Sequence, residues 1–107
     1  MDTAPDGLPV LGLANPVFAR GQNLSVRRGT RWLGVPRVRV QLAGGRLSAP
    51  VALATRALRF DQLRDADLAC EHDPACRTVA GLLAVMRRHY PGFGAGETVT
   101  LCRFTLD

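Results

Sequence analysis

The chain of 107 residues contains no lysine, and all fourteen of its basic residues are arginine. This absence excludes a lysine general base, a Schiff-base lysine and a lysine phosphate ligand. Arginine stays protonated and presents a planar fork of donors, which suits planar or anionic groups. The cations available to bind a ligand are therefore guanidinium groups.

Long apolar runs are also absent. None approaches the roughly 20 residues that a membrane-spanning helix needs. A secretory signal would begin with basic residues followed by an apolar stretch, whereas this chain begins with Asp2 and Asp6. The three cysteines, Cys70, Cys76 and Cys102, are an odd number, which is typical of a reducing compartment and not of a disulfide scaffold. These features predict a cytoplasmic protein with no membrane partner.

Several site signatures are missing as well. Gly44-Gly45 lies between two predicted strands, which indicates a hairpin turn, whereas a phosphate-binding loop runs from a strand into a helix. No G-x-S-x-G sequence marks a serine nucleophile. Cys70, His72 and Cys76 lie close in sequence, but no second ligand pair accompanies them. We therefore expect neither a metal site nor a cofactor.

Charge is distributed unevenly along the chain. Residues 1–59 hold nine arginines against two acids, a net charge of +7, while residues 60–107 hold five arginines against seven acids, a net charge of −2. A basic half on a small domain favours a polyanionic partner, of which nucleic acid is the commonest. An acidic protein is the alternative partner.

The segment Gln22–Gly29 carries the most informative pattern. It alternates as a short strand, with Leu24 and Val26 on one face and polar side chains on the other. The polar face presents the amide of Asn23, the hydroxyl of Ser25 and the guanidinium of Arg27. This variety favours a surface that holds a polar ligand over a merely solvated strand face, which is the alternative interpretation.

Other patterns predict an α+β domain over residues 8–107 after a loose leader at residues 1–7. Apolar alternation and turn residues indicate an antiparallel, curved sheet. The predicted elements are a strand over Leu8–Leu13, a short helix from Asn15-Pro16 to Gly21, strands over Pro36–Leu42 and Arg46–Phe60 (bent near Pro50), a helix over Arg77–Tyr90 and a strand over Thr98–Leu106.

The order of these elements resembles that of the ASCH domains, relatives of the PUA RNA-binding fold. The matching residues are Leu11–Leu13, Phe18, Gly21, Leu24–Arg27, Leu82, Leu83, Tyr90-Pro91-Gly92 and Val99–Phe104. The resemblance covers about residues 8–106. It implies a small PUA-like mixed β-barrel with two or three covering helices, and a cleft for RNA or a modified nucleoside beside the arginine-bearing strand.

The resemblance also assigns site residues. In the family's small amidohydrolases, the positions of a lysine, a threonine and an arginine fall on Gln22, Ser25 and Arg27, and a carboxylate falls near Glu71 or Asp73. Ser25 and Glu71 are thus the candidate catalytic residues. An alignment on Gly21 would put Asn23 at the lysine position, but would move the hydroxyl and the arginine off their matches.

The neutral amide of Gln22 cannot accept a proton from Ser25, and loss of a positioned base commonly costs roughly a hundredfold to ten-thousandfold in rate. We therefore expect an RNA- or nucleotide-binding module in preference to an acetylcytidine-type amidohydrolase or ribonuclease. An interaction domain for an acidic protein is the third hypothesis. The predicted ligand-binding residues are Gln22, Ser25, Arg27, Arg28 and Arg31, with Trp32 available to stack on a base or sugar.

Overall fold

The fold is described by a computed structural model covering residues 2–18 and 20–106. Within these residues, regular structure consists of six β-strands, one α-helix and four short 3-10 turns. The strands and the helix are β1 (Val10–Leu11), β2 (Gly21–Arg28), β3 (Arg37–Val40), β4 (Val51–Ala52), β5 (Ala54–Arg59), α1 (Val79–His89) and β6 (Thr98–Leu106).

The larger of the two sheets is antiparallel, with β6 as its central strand. Strand β2 pairs with one side of β6 along its whole length, from Gly21 opposite Leu106 to Arg28 opposite Val99. Strand β5 pairs with the other side of β6. Strand β2 is therefore an edge strand of this sheet, and its outer edge has no partner strand within the sheet.

The smaller sheet has the strand order β1-β3-β4, with β1 parallel to β3 and β3 antiparallel to β4. Its inner face packs on the larger sheet, because Val38 and Val40 share an apolar core with Trp32 and Phe104. Both valines are fully buried, as the alternation over Pro36–Leu42 predicted. Alternating side chains thus place a second layer against one face of the larger sheet.

The opposite face of the larger sheet is covered by α1. Leu24 and Val26 of β2 pack there with Leu82 and Met86 of the helix. The two helix residues are four positions apart and therefore lie on the same side of α1. The apolar side of β2 and the apolar stripe of the helix meet in one core.

Helix α1 confirms the helix predicted over Arg77–Tyr90. The Thr78 hydroxyl accepts a hydrogen bond from the Gly81 amide at 3.0 Å and caps the N-terminus. Basic side chains occupy the last turn, where they favour the negative end of the helix dipole. The helix stops at Tyr90, directly before Pro91.

The short helix predicted from Asn15 to Gly21 is wrong for the described part of that segment, since residues 14–18 form no helix. The Asn15 amide donates to Asp73 Oδ1 at 3.1 Å instead of capping a helix. Phe18 packs edge-on against Phe104. The side chains that suggested a helix start therefore make tertiary contacts instead. Ala19 lies outside the described residues.

The described strands form two separate three-stranded sheets and no closed barrel. The α+β class is confirmed, with one α-helix where the resemblance implied two or three. The long strand predicted over Arg46–Phe60 is divided into β4 and β5 on either side of Leu53, whose side chain is buried. The predicted hairpin turn at Gly44-Gly45 is a 3-10 turn followed by a bridge between Gln41 and Leu47.

Residues 2–7, predicted as a loose leader, lie against the smaller sheet. The Val10 amide donates to the Asp2 carbonyl at 2.9 Å, and Ala4 is buried. Asp6 accepts a hydrogen bond from Arg39 of β3 at 2.9 Å. The Arg39 guanidinium lowers the pKa of this carboxyl, whose exposure makes the ion pair a weak contributor to stability.

Replacement of Gly81 by alanine tests the close approach of α1 to the preceding 3-10 turn. A Cβ atom at Gly81 would lie 2.1 Å from the Ala75 carbonyl oxygen, so the helix would have to shift. Helix propensity favours alanine by about 1 kcal/mol, but overpacking commonly costs about 1–3 kcal/mol. We expect Gly81→Ala to lower the free energy of unfolding, measured by urea denaturation.

Gly96→Ala is the matched control, because no atom lies within 4 Å of a Cβ atom at that position. We expect it to change the free energy of unfolding by less than about 0.5 kcal/mol. A Gly81→Ala protein more stable than the wild type would contradict the close helix contact.

Candidate functional site

A cleft of about 90 Å³ lies at the free edge of β2. Three chain segments and the helix surround this edge, so residues distant in sequence meet there. Its lining comprises Gly12–Asn15, Ser25–Arg27, Glu71–Asp73 and Cys76, together with Leu82, Val85, Met86, His89 and Tyr90. Most polar groups come from the strand and the loops, whereas α1 contributes the apolar side chains Leu82, Val85 and Met86 together with His89.

The segment Cys70–His72 pairs with β2 and closes one end of the cleft. The Leu24 amide donates to the Cys70 carbonyl at 2.9 Å, and the His72 amide donates to the Leu24 carbonyl at 2.9 Å. These two bonds form a parallel bridge between Leu24 and Glu71. A loop that is 46 residues away along the chain is thereby fixed beside the strand that carries Ser25 and Arg27.

Glu71 and His72 form a buried pair at this bridge, which is an ion pair when His72 is protonated. His72 Nδ1 lies 2.5 Å from Glu71 Oε1 and 3.0 Å from the Leu24 carbonyl oxygen. Both residues are buried, Glu71 at 1% exposure. Burial alone lowers the pKa of His72, but the hydrogen bond and charge of Glu71 outweigh it, so the pKa is raised above 6.5.

Asp73 holds the other loop that lines the cleft. Its Oδ1 atom accepts from the Asn15 side-chain amide at 3.1 Å and from the Ala75 backbone amide at 3.0 Å. The Asp73 amide in turn donates to Glu71 Oε1 at 3.0 Å. The two loops that face each other across the edge of β2 are therefore joined through one carboxylate.

Arg27 extends from β2 into the space between the two sheets. Its guanidinium donates to the Gly12 carbonyl and lies 5.7 Å from the centre of the Trp32 ring. Its Nε atom is buried and has no hydrogen-bond partner among the described residues. Burial lowers the pKa of Arg27, and the charges of Cys102, Tyr90 and Glu71 oppose that effect. Arginine nevertheless keeps its charge at any ordinary pH.

Ser25 lies two residues before Arg27 and faces the same side of β2. It is only 3% exposed and lines the cleft, so the polar face of β2 points into the protein. A solvated outer strand face, the alternative interpretation of this pattern, is therefore excluded. Among the described residues, the Ser25 hydroxyl makes no hydrogen bond to Glu71 or His72.

The remaining predicted site residues are not brought to the cleft. Gln22 is exposed at the start of β2 and lines a different surface depression. Arg28 points to the other face, where its Nε atom donates to Glu97 at 2.7 Å and its guanidinium lies over Tyr90. Arg31 is exposed, whereas Trp32 is buried in the second core.

The structure thus unites three of the predicted residues, Ser25, Arg27 and Glu71, and separates Gln22 and Arg31 from them. Sequence reasoning missed the Gly12 carbonyl, which carries no side-chain signal. It also interpreted Asn15 as a helix cap, and it used Tyr90 only as the end of a helix and as part of the motif shared with the ASCH domains. No local pattern could have shown that these residues share a cleft.

The Cys76 and Cys102 thiols near the cleft are unreactive at neutral pH. Burial raises the pKa of Cys76 to about 12 and that of Cys102 to about 11, so both are protonated at neutral pH. Across residues 2–18 and 20–106, no three acidic, histidine or cysteine side chains are grouped in a way that could hold a metal ion. None of the helices in this part of the chain has the length and apolar character needed to cross a bilayer.

The sequence matches no known family model, and neither a curated protein nor a solved structure matches it significantly. The resemblance to the ASCH domains therefore rests on short sequence motifs alone.

The Glu71–His72 pair predicts a defined pH dependence. Because the folded-state pKa of His72 is raised, the pair stabilises the fold fully below pH 6.5 and loses that contribution as the pH rises through the folded-state pKa. In Glu71→Gln, burial is no longer opposed by a carboxylate charge. We expect the pKa of His72, followed by NMR titration of its ring protons, to fall in this variant.

Glu97→Gln is the control, since Glu97 pairs with the exposed Arg28 side chain and makes no contact with His72. It should leave the His72 titration unchanged. A His72 pKa that does not fall in Glu71→Gln would refute the proposed origin of the shift.

Proposed function

We propose that the protein binds a nucleoside or nucleotide, free or within RNA, in the cleft beside β2. The half-buried Arg27 guanidinium, which lines the cleft, carries this proposal. Its Nε atom is closed to solvent, and the rest of the guanidinium is the part that can donate to a ligand oxygen in the cleft. Hydrogen bonds to charged groups are stronger than those between neutral groups.

The walls of the cleft suit such a ligand. Leu82, Met86 and Tyr90 offer apolar and aromatic surface to a planar ring, while Ser25 and Arg27 offer polar contacts on the opposite side. The volume of about 90 Å³ is far below the roughly 300–1,000 Å³ of drug-sized pockets. The cleft therefore accommodates a single ring or a comparable fragment, with the rest of the ligand outside.

We propose that the protein is an ASCH-type, PUA-like domain that works in the cytoplasm. Its two sheets enclose a common apolar core, and we propose that they correspond to an opened form of the family's mixed barrel. In this arrangement the cleft lies beside the arginine-bearing strand, as the resemblance implies. The exposed Arg31 and Arg37 remain available for phosphates of a longer RNA.

Replacement of Arg27 tests the binding proposal. Arg27→Met keeps the length of the side chain and removes the charge and its donors. Hydrogen bonds to charged groups contribute about 1.5–3 kcal/mol, so we expect nucleotide affinity, measured by isothermal titration calorimetry, to fall about 10- to 100-fold.

Arg37→Met removes the same charge from an exposed position on β3 and is the matched control. We expect its affinity for a mononucleotide to change less than about threefold, because exposed charges are screened by salt. A folded Arg27→Met protein, verified by circular dichroism, that binds with wild-type affinity would place the ligand elsewhere.

Amide hydrolysis of an acetylated cytidine is the second candidate function, because Ser25 and Glu71 line the same cleft. Two observations weigh against it. Glu71 Oε1 already accepts from His72 and Asp73. The amide of Gln22, at the position of the family's lysine, is exposed outside the cleft.

We expect no turnover when the protein is incubated with N4-acetylcytidine and the products are separated by liquid chromatography. The comparison variants are Ser25→Ala and Glu71→Gln. Turnover by the wild type that either substitution abolishes would establish hydrolysis and displace the binding proposal.

A further inference from the structure

The outer edge of β2 presents backbone groups as well as side chains to the cleft. Leu24 directs its amide and carbonyl away from β6, because both bond to the Cys70–His72 segment. In an antiparallel pair, every second residue points its backbone groups to the same side. The amide and carbonyl of Val26 therefore point to the same outer edge as those of Leu24.

The Val26 backbone has no partner on that edge. No described residue hydrogen bonds to its amide or carbonyl there, although Val26 lines the cleft. Its side chain packs in the apolar core under α1. Its peptide groups, one donor and one acceptor side by side, point to the edge at which the cleft lies.

Beyond the Cys70–His72 segment, the open edge comprises only the backbone groups of Val26 and Arg28. At one end, the Cys70–His72 segment occupies the Leu24 position. At the other end, Tyr90 lines the cleft and lies against the Arg28 guanidinium, 5.1 Å from the ring centre. An added peptide strand would need a longer open edge. The space suits a short planar group that pairs with a single residue.

We propose that the Val26 amide and carbonyl recognise the lactam edge of a nucleobase, a ring carbonyl adjacent to a ring N–H. The ligand carbonyl accepts from the Val26 amide, and the ligand N–H donates to the Val26 carbonyl. This inference rests on the proposed nucleotide binding and names the part of the ligand that is read. Uracil and guanine present such an edge, whereas cytosine and adenine pair an amino group with a ring nitrogen.

Arg27 explains the preference for a carbonyl-bearing base. Arg27 lines the cleft, and its guanidinium brings positive charge and N–H donors beside the same edge. A base rich in carbonyl oxygens can accept from Arg27 as well as from Val26. Uracil, a single ring with two carbonyls, also fits the small volume of the cleft better than guanine does.

Amide hydrogen exchange followed by NMR tests the inference. The protein, uniformly labelled with nitrogen-15, is measured free and with saturating uridine 5′-monophosphate. We expect exchange of the Val26 amide to slow about tenfold or more in the complex, since an unpaired amide becomes hydrogen bonded. The Gln22 amide, on the same edge but outside the cleft, is the internal control and should not change.

The N3-methyl analogue of the same nucleotide lacks the ring N–H and adds bulk where the Val26 carbonyl should accept. We expect it to bind about tenfold more weakly or worse. Equal affinity for the two nucleotides, or uridylate binding without protection of Val26, overturns the inference and leaves the proposed function intact.

Titration with the monophosphates of guanosine, cytidine and adenosine separates the two claims further. Binding confined to the cytidine and adenosine nucleotides overturns the lactam reading while supporting a nucleotide site. If no nucleotide shifts the amide signals of the cleft, both the inference and the proposed function are wrong.

Discussion

The two hydrogen bonds between Leu24 and the Cys70–His72 segment are the constraint on which the site depends. They join the basic half of the chain to the acidic half at one point of β2. By occupying the Leu24 position, they leave only a short stretch of strand edge open. They also fix the position of Glu71 and His72 along β2, beside Ser25 and Arg27.

Arg27 gives the cleft its chemical character. A charge placed between two packed layers needs polar partners, and the protein supplies the Gly12 carbonyl and the Trp32 ring while leaving Nε without one. Guanidinium does not lose its proton at ordinary pH. Arg27 therefore keeps its positive charge at every pH at which the fold persists, in a cleft that also holds the carboxyl groups of Glu71 and Asp73.

Local periodicity predicted the elements that pack through a repeating face. Helix α1 and strands β2, β3 and β6 all appeared in the sequence as alternation or as a helical stripe. The central residues of β2 and β6 are nevertheless buried on both faces, which alternation did not predict. The helix expected after Asn15 did not form, since Asn15 and Phe18 are used in contacts with Asp73 and Phe104. Such long-range contacts leave no local pattern.

The site was predictable to a similar degree. Side-chain chemistry on β2 indicated Ser25 and Arg27, and the family resemblance added Glu71, but strand alternation could not say which layer the polar face would meet. The Gly12 carbonyl and the Val26 peptide groups carry no sequence signal at all. Backbone groups can bind a ligand only where the fold leaves them without a protein partner.

The pairing at Leu24 also covers part of an exposed strand edge. An open strand edge is a template for pairing with a second molecule, and long uncovered edges promote aggregation. One outer strand of the larger sheet is shielded by Cys70–His72, and the other, β5, carries the exposed charges of Arg56 and Arg59. The loop that completes the cleft thus also covers part of a strand edge that would otherwise be open along its length.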